Sequence, residues 1–128
     1  MYARDAAART LGIRIEEVRP GYARLSMLAA PSMLNGHAVV HGGFIFALAD
    51  TAFAYACNSR NESNVALNAA ISFTAPGRVD QRLVAIAQER SRAGRTGIYD
   101  VEVQNEDGTA IAFFRGTSYR IEGTVIPS

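Results

Sequence analysis

The sequence predicts an α+β fold in which an antiparallel sheet curls around one long, buried helix. Residues 43–57 are almost wholly apolar and helix-forming, and a helix that is apolar on every side must be surrounded by protein. Stretches with the two-residue alternation of β-strands lie on both sides of this helix in the sequence. A sheet wrapped around the helix accounts for both patterns with a single core.

The first elements are predicted to be a short helix and a β-hairpin. Residues 3–10 are rich in alanine, which favours helix. Residues 13–16 and 22–27 alternate between apolar and polar side chains and are separated by a Pro-Gly turn, so we expect them to pair as a hairpin. Residues 29–42 contain both histidines together with proline, asparagine and glycine, a composition typical of a loop.

Four stretches after the long helix have strand character. Residues 65–73 and 99–104 alternate, with Val65 and the following odd-numbered residues forming one apolar face of the first stretch. Residues 82–89 are apolar on both faces in their middle, which indicates a central strand. A Glu-Asp-Gly turn then leads into a long last strand over residues 109–121. We expect these four strands to follow one another as a meander.

Composition limits the class of protein. The 128 residues suffice for one domain over 1–128, with neither a linker nor an internal repeat. Because 13 basic and 12 acidic residues nearly cancel, we expect no nucleic-acid binding through bulk charge. The single cysteine, Cys57, excludes an internal disulfide framework and fits a reducing compartment. Without a signal peptide or an apolar run long enough to span a membrane, a soluble cytoplasmic protein is expected.

One carboxylate, Asp50, interrupts the apolar helix. Its helical neighbours, which include Ala47, Phe53 and Ala54, offer no basic partner. Exposure at a frayed point of the helix, or pairing with an arginine from elsewhere, would make Asp50 purely structural. Burying an unpaired carboxylate is costly, however, and such groups mark functional sites. Asp50 is therefore a candidate catalytic residue.

The start of the helix offers the matching chemistry. His41, Gly42 and Gly43 lie where the first N–H groups lack carbonyl partners and the helix dipole is positive. Glycine lets a substrate approach the backbone closely, so a developing oxyanion can be stabilised here. A Gly-Gly turn that merely begins a helix is the common alternative.

The spacing of these two features predicts a shared site. Gly43 and Asp50 are two helical turns, or roughly 10 Å, apart along the axis, whereas catalytic contacts need about 3 Å. A second copy of the helix, antiparallel across a two-fold axis, would bring Asp50 of one chain opposite Gly43 of the other. An enzyme that uses both groups is then at least a dimer.

Four segments carry a family resemblance: LNGHAVVHGG, LADTAFAYACNS, RTGIYDVEV and FRGTSYRI, which begin at residues 34, 48, 95 and 114. Together they resemble the PaaI-type, phenylacetate-pathway branch of the hot-dog-fold acyl-CoA thioesterases. The resemblance implies a long helix wrapped by a five- to six-stranded antiparallel sheet, and homodimers that assemble into homotetramers. It implies hydrolysis of phenylacetyl-CoA or a ring-hydroxylated relative, with no cofactor apart from the CoA of the substrate.

The resemblance also implies roles for individual residues. Asp50 acts as the nucleophile or as the general base for water, and the N–H of Gly43 polarises the thioester carbonyl. Asn35 and His41 shape the site and contact the thioester or the attacking water. Thr51 helps to hold that water. His37, the other histidine of the loop, matches close relatives but is assigned no chemistry.

CoA brings a pyrophosphate and a ribose phosphate, so its site needs positive charge and free N–H groups. The SRAGRTG loop suits both needs, although its arginines alone would also be expected of a solvated hairpin. The resemblance favours Gly94, Arg95 and Thr96 as CoA-binding residues. The turn FTAPG, with Phe73 and Pro76, is a candidate for holding the pantetheine arm. Candidates to line the acyl pocket, each also compatible with plain core, are Met33, Leu34, Phe44 and Phe53 or Tyr55.

Other functions fit the sequence less well. A medium-chain acyl-CoA thioesterase would share the same site, and a hot-dog dehydratase or hydratase would need a histidine as base. A non-catalytic acyl-CoA-binding protein would gain little from Asp50. No GxSxG elbow is present, and Cys57 is more typical of buried filler than of a nucleophile. A metal at His37 and His41 would need a further ligand, so none is expected.

Overall fold

The computed structural model describes residues 1–126 and contains one long helix and a six-stranded antiparallel sheet. In chain order the elements are a 3₁₀ turn (Tyr2–Arg4), α1 (Ala6–Thr10), β1 (Arg14–Arg19), β2 (Tyr22–Leu28), a second 3₁₀ turn (Pro31–Met33), α2 (Gly42–Cys57), β3 (Asn64–Phe73), β4 (Arg82–Ala93), β5 (Thr96–Gln104) and β6 (Ala110–Arg120). The strand order is β1-β2-β4-β5-β6-β3. Within residues 1–126, no helix combines the length and the apolar character needed to cross a bilayer.

The N-terminal elements largely follow the prediction. The expected helix over residues 3–10 is divided at Asp5, whose carboxylate accepts a hydrogen bond from Ala8 N–H at 3.1 Å and caps α1. β1 and β2 pair as the expected antiparallel hairpin. The predicted inner face of β2 is fully buried, as the alternation of residues 22–27 indicated.

The predicted meander is wrong for β3, which pairs with β6 rather than with β4. Only β4, β5 and β6 form a meander, and β4 is central as predicted. Alternation identifies a strand but says nothing of its neighbours. After β3 the chain turns past Gly77, whose carbonyl accepts a hydrogen bond from Val40 N–H at 3.0 Å. This contact holds the chain beside the segment that precedes α2, and β3 lies at the edge of the sheet.

The face that the alternation assigned to β3 is only partly buried. The register shifts between Ala66 and Asn68, so a β-bulge interrupts the strand. Beyond the bulge, Ala69 and Ile71 pack against the core, whereas Val65 and Leu67 are 45% and 58% exposed. β3 is therefore an edge strand that carries exposed apolar side chains.

α2 packs its buried side on the concave face of the sheet. Phe53 reaches Gly116 of β6 so closely that a Cβ atom there would lie 2.8 Å from the ring. The residues on this side include Ile45, Leu48, Ala49, Ala52, Phe53 and Ala56, all buried. The opposite side, with Ala47, Asp50 and Ala54, remains partly exposed. The expectation that protein surrounds the helix is thus met on one side only, because a single six-stranded sheet covers only that side.

Candidate active site

His41 begins α2 as its N-cap. Its backbone is extended, with φ −60° and ψ 133°, and its imidazole Nδ1 accepts a hydrogen bond from Gly43 N–H at 3.0 Å. The N–H of His41 donates to the carbonyl of Met33 at 2.7 Å, and the N–H of Phe44 donates to the carbonyl of His41 at 3.0 Å. Backbone and side chain together therefore hold the first turn in place.

The amide of Gly42, at the start of this turn, has no partner in the described part of the chain. Among residues 1–126, no acceptor receives the Gly42 N–H, whereas the amides of Gly43 and Phe44 are both engaged. The Phe73 ring lies beside Gly42, where a Cβ atom would come within 2.8 Å of Cζ. Gly43 is the donor predicted from the sequence, but its amide is engaged by His41, whereas the Gly42 amide has no partner within residues 1–126. Because an N-cap side chain bonds the second or third amide and leaves the first, the capping rule could have identified it.

Asp50 lies on the uncovered side of α2 and is half-buried. In the part of the chain that the structure describes, its carboxylate forms neither a hydrogen bond nor an ion pair. Burial raises the pKa of Asp50 above its ordinary value, because the charged form loses hydration. The arginine pairing considered as a structural alternative is therefore absent within residues 1–126.

Thr51 and Asn35 are both oriented by backbone groups. The Thr51 hydroxyl donates to the carbonyl of Ala47 at 2.7 Å, so it is left able to accept a hydrogen bond from water. The Asn35 Oδ1 atom accepts from the N–H groups of His37 and Val39 at 2.8 and 3.4 Å. The side-chain N–H groups of Asn35 donate to no described residue and remain available to a ligand.

An open cavity of about 530 Å³ lies beside the helix start. Its walls bring together three residues proposed from the sequence, Asn35, Phe73 and Pro76, with Gly42 at the helix start. The cavity wall is mainly apolar and includes Val40, Ile45 and Ala75. This arrangement suits a flexible arm that ends in a polar carbonyl.

The predicted CoA loop lies at the other end of α2. Gly94 has φ 58°, a left-handed conformation that glycine adopts without strain, and the loop lines a small pocket with Cys57, the last helical residue. Cys57 is 14 residues beyond Gly43, or roughly 21 Å along the helix axis. One chain alone therefore does not bring Gly94, Arg95 and Thr96 to the helix start.

Arg92, Arg95 and Arg120 all line this small pocket, but they differ in whether their charge is paired. Arg92 and Arg120 both pair with Glu62, at 2.8 and 2.7 Å. Arg95 donates to the carbonyl of Arg120 at 3.0 Å and, among the described residues, has no carboxylate partner. Its guanidinium is thus the most available of the group for a phosphate.

Several other side chains considered from the sequence do not line the cavity beside the helix start. Phe53 is 2% exposed and packs against two core aromatic rings, so it belongs to the core. Tyr55 is also buried, and desolvation is the main cause that raises its pKa to about 12. Burial likewise raises the pKa of Cys57 to about 12, which makes its thiol a poor nucleophile. Phe44 and Met33 line a second cavity, of about 710 Å³.

Within residues 1–126, no three metal-binding side chains converge.

The chain is similar to known proteins along nearly its whole length. The family model of the thioesterase superfamily matches residues 37–112. The chain is 47% identical over 125 residues to acyl-coenzyme A thioesterase PaaI of Escherichia coli (strain K12), covering 98% of this chain and 89% of that protein. The solved structure of the E. coli PaaI protein from the phenylacetic acid degradation operon superposes with a TM-score of 0.95 at 48% identity, over 97% of this chain and 90% of that one. A mutant structure of phenylacetic acid degradation protein PaaI from Thermus thermophilus has a TM-score of 0.87 at 37% identity, over 91% of this chain and 100% of that one.

Proposed function

Since the chain belongs to the thioesterase superfamily and has the hot-dog fold, we propose that it hydrolyses acyl-CoA thioesters, with phenylacetyl-CoA or a ring-hydroxylated relative as preferred substrate. The single observation that carries the proposal is Asp50, a half-buried carboxylate that has no partner among residues 1–126 and lies on a helix whose first amide is likewise unpaired there. The proposed chemistry needs no cofactor other than the CoA of the substrate, and the free thiol of Cys57 fits a cytoplasmic location.

Asp50 supplies the nucleophile or the base. A thioester is already activated, so its hydrolysis needs a positioned carboxylate and a polarised carbonyl more than a complete triad. In one route the Asp50 carboxylate takes a proton from water, whose oxygen attacks the carbonyl carbon. In the other route it attacks that carbon directly and water then cleaves the anhydride. In both, the C–S bond breaks, the water oxygen ends in the acid, and a proton released from that water goes to the sulfur, so CoA leaves as the thiol. Burial, which raises the pKa of Asp50, makes its carboxylate the stronger base.

The helix start stabilises the oxyanion. We assign the donor role to the N–H of Gly42, because His41 already occupies the N–H of Gly43. The dipole of the 16-residue helix α2 reinforces this donor. The lack of a side chain at Gly43 still matters for the cap, because a Cβ atom there would lie 3.3 Å from the His41 imidazole. The proposal thus shifts the donor by one residue from the sequence-based prediction.

The site requires two chains. Gly42 and Asp50 are eight residues, or roughly 12 Å, apart along one helix, so one carbonyl cannot contact both. α2 leaves one side uncovered, and the β3 edge exposes Val65 and Leu67. The β1 edge instead carries Arg14, Glu16, Glu17 and Arg19, charges that oppose strand pairing. A homodimer with paired β3 edges and antiparallel α2 helices would set Asp50 of one subunit beside Gly42 of the other, and two such dimers would form a homotetramer.

The same two-fold arrangement would also form the CoA-binding site between the two subunits. In that antiparallel pair, the CoA loop of one subunit would lie roughly 10 Å beyond the helix start of the other. The CoA phosphates would contact Gly94, Arg95 and Thr96 there. The pantetheine arm would follow Phe73 and Pro76 of the other subunit into the cavity beside its Gly42 amide.

The experiment is a thiol-release assay with the purified protein. Phenylacetyl-CoA is compared with medium-chain and hydroxybenzoyl-CoA esters, and the expected result is the highest kcat/KM for the arylacetyl ester. Asp50→Asn should lower kcat by about a hundredfold or more, the contribution of a positioned base, while CoA binding persists. Preference for the medium-chain ester would change the substrate class. Tight acyl-CoA binding without turnover would show that the protein binds acyl-CoA but does not hydrolyse it.

A further inference from the structure

We propose that His41 is a positioning residue that acts as the cap of α2. Its Nδ1 atom holds the N–H of Gly43, and this bond leaves the N–H of Gly42 as the single amide available to the thioester oxygen. The inference rests on the function proposed above. It concerns how the amide donor is selected, and it assigns His41 no proton transfer and no direct contact with the reacting carbonyl.

The hydrogen bond itself determines the tautomer. A ring nitrogen that accepts a hydrogen bond carries no proton, so a neutral His41 bears its proton on Nε2. In that form Nε2 has no free lone pair and cannot take a proton from water. His41 is consequently unsuited to the role of general base in this arrangement, which leaves that role to Asp50.

The surroundings of the imidazole agree with capping. A catalytic histidine is normally oriented by a carboxylate or another acceptor at Nδ1–H, but within residues 1–126 no carboxylate bonds to His41, and Nδ1 is itself the acceptor. The ring lies edge-on to Phe44, with centroids 6.4 Å apart. The main chain on either side of the ring is held through Met33 and Gly77. The imidazole is therefore held by packing and by the helix that it caps.

Capping decides which amide meets the substrate. The first turn has three amides near the thioester position, those of Gly42, Gly43 and Phe44. His41 engages the second through its side chain and the third through its carbonyl. Without the imidazole, two adjacent amides would compete for the oxyanion and the first turn would fray. With it, only one donor position exists, and that position is fixed before the substrate arrives.

Replacement by other capping residues separates this role from the alternatives. Asn is a strong N-cap whose side-chain oxygen can accept from the same amide, whereas Ala cannot cap. We expect His41→Ala to lower kcat with phenylacetyl-CoA by about a hundredfold, the scale of a misplaced oxyanion donor, with little change in KM. His41→Asn should recover activity to within about tenfold of the unmodified enzyme. His37→Ala, which changes the only other histidine and leaves its backbone N–H in place, is the matched control and should be unaffected.

A second measurement tests the bond without relying on activity or on any variant. In uniformly ¹⁵N-labelled protein, NMR should detect a scalar coupling across the hydrogen bond between the Gly43 amide nitrogen and the His41 Nδ1. The Nδ1 resonance should have the chemical shift of an unprotonated acceptor. If the unmodified protein hydrolyses no acyl-CoA ester, the proposed function fails while this measurement still decides the cap. His41→Asn as inactive as His41→Ala would overturn the inference, as would a proton on Nδ1 or full activity of His41→Ala.

Discussion

Gly116 on β6 lies directly against α2, and Gly116→Ala tests whether this contact positions the helix on the sheet. Phe53 lies on α2 one turn beyond Asp50, and its ring fills the space that a side chain at 116 would need. A Cβ atom there would lie 2.8, 2.9 and 2.9 Å from three ring carbons. The backbone of Gly116 is not in the left-handed region, so alanine introduces a steric conflict without backbone strain.

The size of the effect follows from how little the ring can move. The ring must retreat by about 0.6 Å to change a 2.8 Å contact into an ordinary one of 3.4 Å. Phe53 is 2% exposed and lies between Tyr99 and Phe114, each with its ring centroid 5.7 Å away. Overpacking of such a core costs about 1–3 kcal/mol, and the confined ring places Gly116→Ala near the upper end. For a chain of this length, about 2.5 kcal/mol lowers Tm by roughly 8–12 °C.

Urea unfolding at one fixed protein concentration measures this cost. Gly36→Ala is the control, because a Cβ atom at Gly36 meets nothing within 4 Å, and it should change the free energy of unfolding by less than about 0.5 kcal/mol. Combining Gly116→Ala with Phe53→Leu should cost less than the sum of the two single changes, because the smaller side chain relieves the conflict. Strict additivity, or a neutral Gly116→Ala, would refute the claim that this contact positions α2.

Three further predictions concern the site. Burial raises the pKa of Asp50 above 3.8, so ionisation of Asp50 destabilises the fold as pH rises through the raised pKa. Asp50→Asn should therefore unfold at a higher urea concentration than the unmodified protein at pH 7. The difference should vanish below about pH 3. Leu67→Asp on the β3 edge should yield monomers by light scattering and abolish turnover, and an active monomer would contradict the shared site. Arg95→Ala should weaken CoA binding about tenfold by calorimetry, whereas Arg92→Ala, whose guanidinium is already paired with Glu62, should have the smaller effect.

Local periodicity explains which elements could be predicted. The alternation in residues 22–27 and 99–104 and the long apolar run before Cys57 each report the environment of one element, and each element is present. The neighbour of β3 could not be read in this way, because its pairing with β6 joins strands that are distant in the sequence and alternation is a local signal. For the same reason, the pattern could not show that a single sheet covers only one side of α2.

Some features of the site could likewise be predicted from the sequence, whereas others depend on the folded chain. A carboxylate in an apolar helix is visible in the sequence, so Asp50 could be proposed as a site residue from its neighbours alone, and that role stays a prediction. The sequence predicted Gly43 as the donor, and the choice proposed here between Gly42 and Gly43 depends on the rotamer of His41, which the sequence does not show. The separation of the Arg95 loop from the helix start is a property of the folded chain, and only a second subunit would bring the two together.

If Gly42 and Asp50 act across a dimer as proposed, their spacing on one helix makes the two defects separable between subunits. Consider one chain that lacks the carboxylate and another whose helix start is blocked by a bulky residue. Each homodimer of either chain contains two defective centres. A mixed dimer contains one centre that combines both defects and one that is wholly intact. Two inactive proteins, co-expressed, should therefore complement each other and recover up to about a quarter of the normal activity if they pair at random.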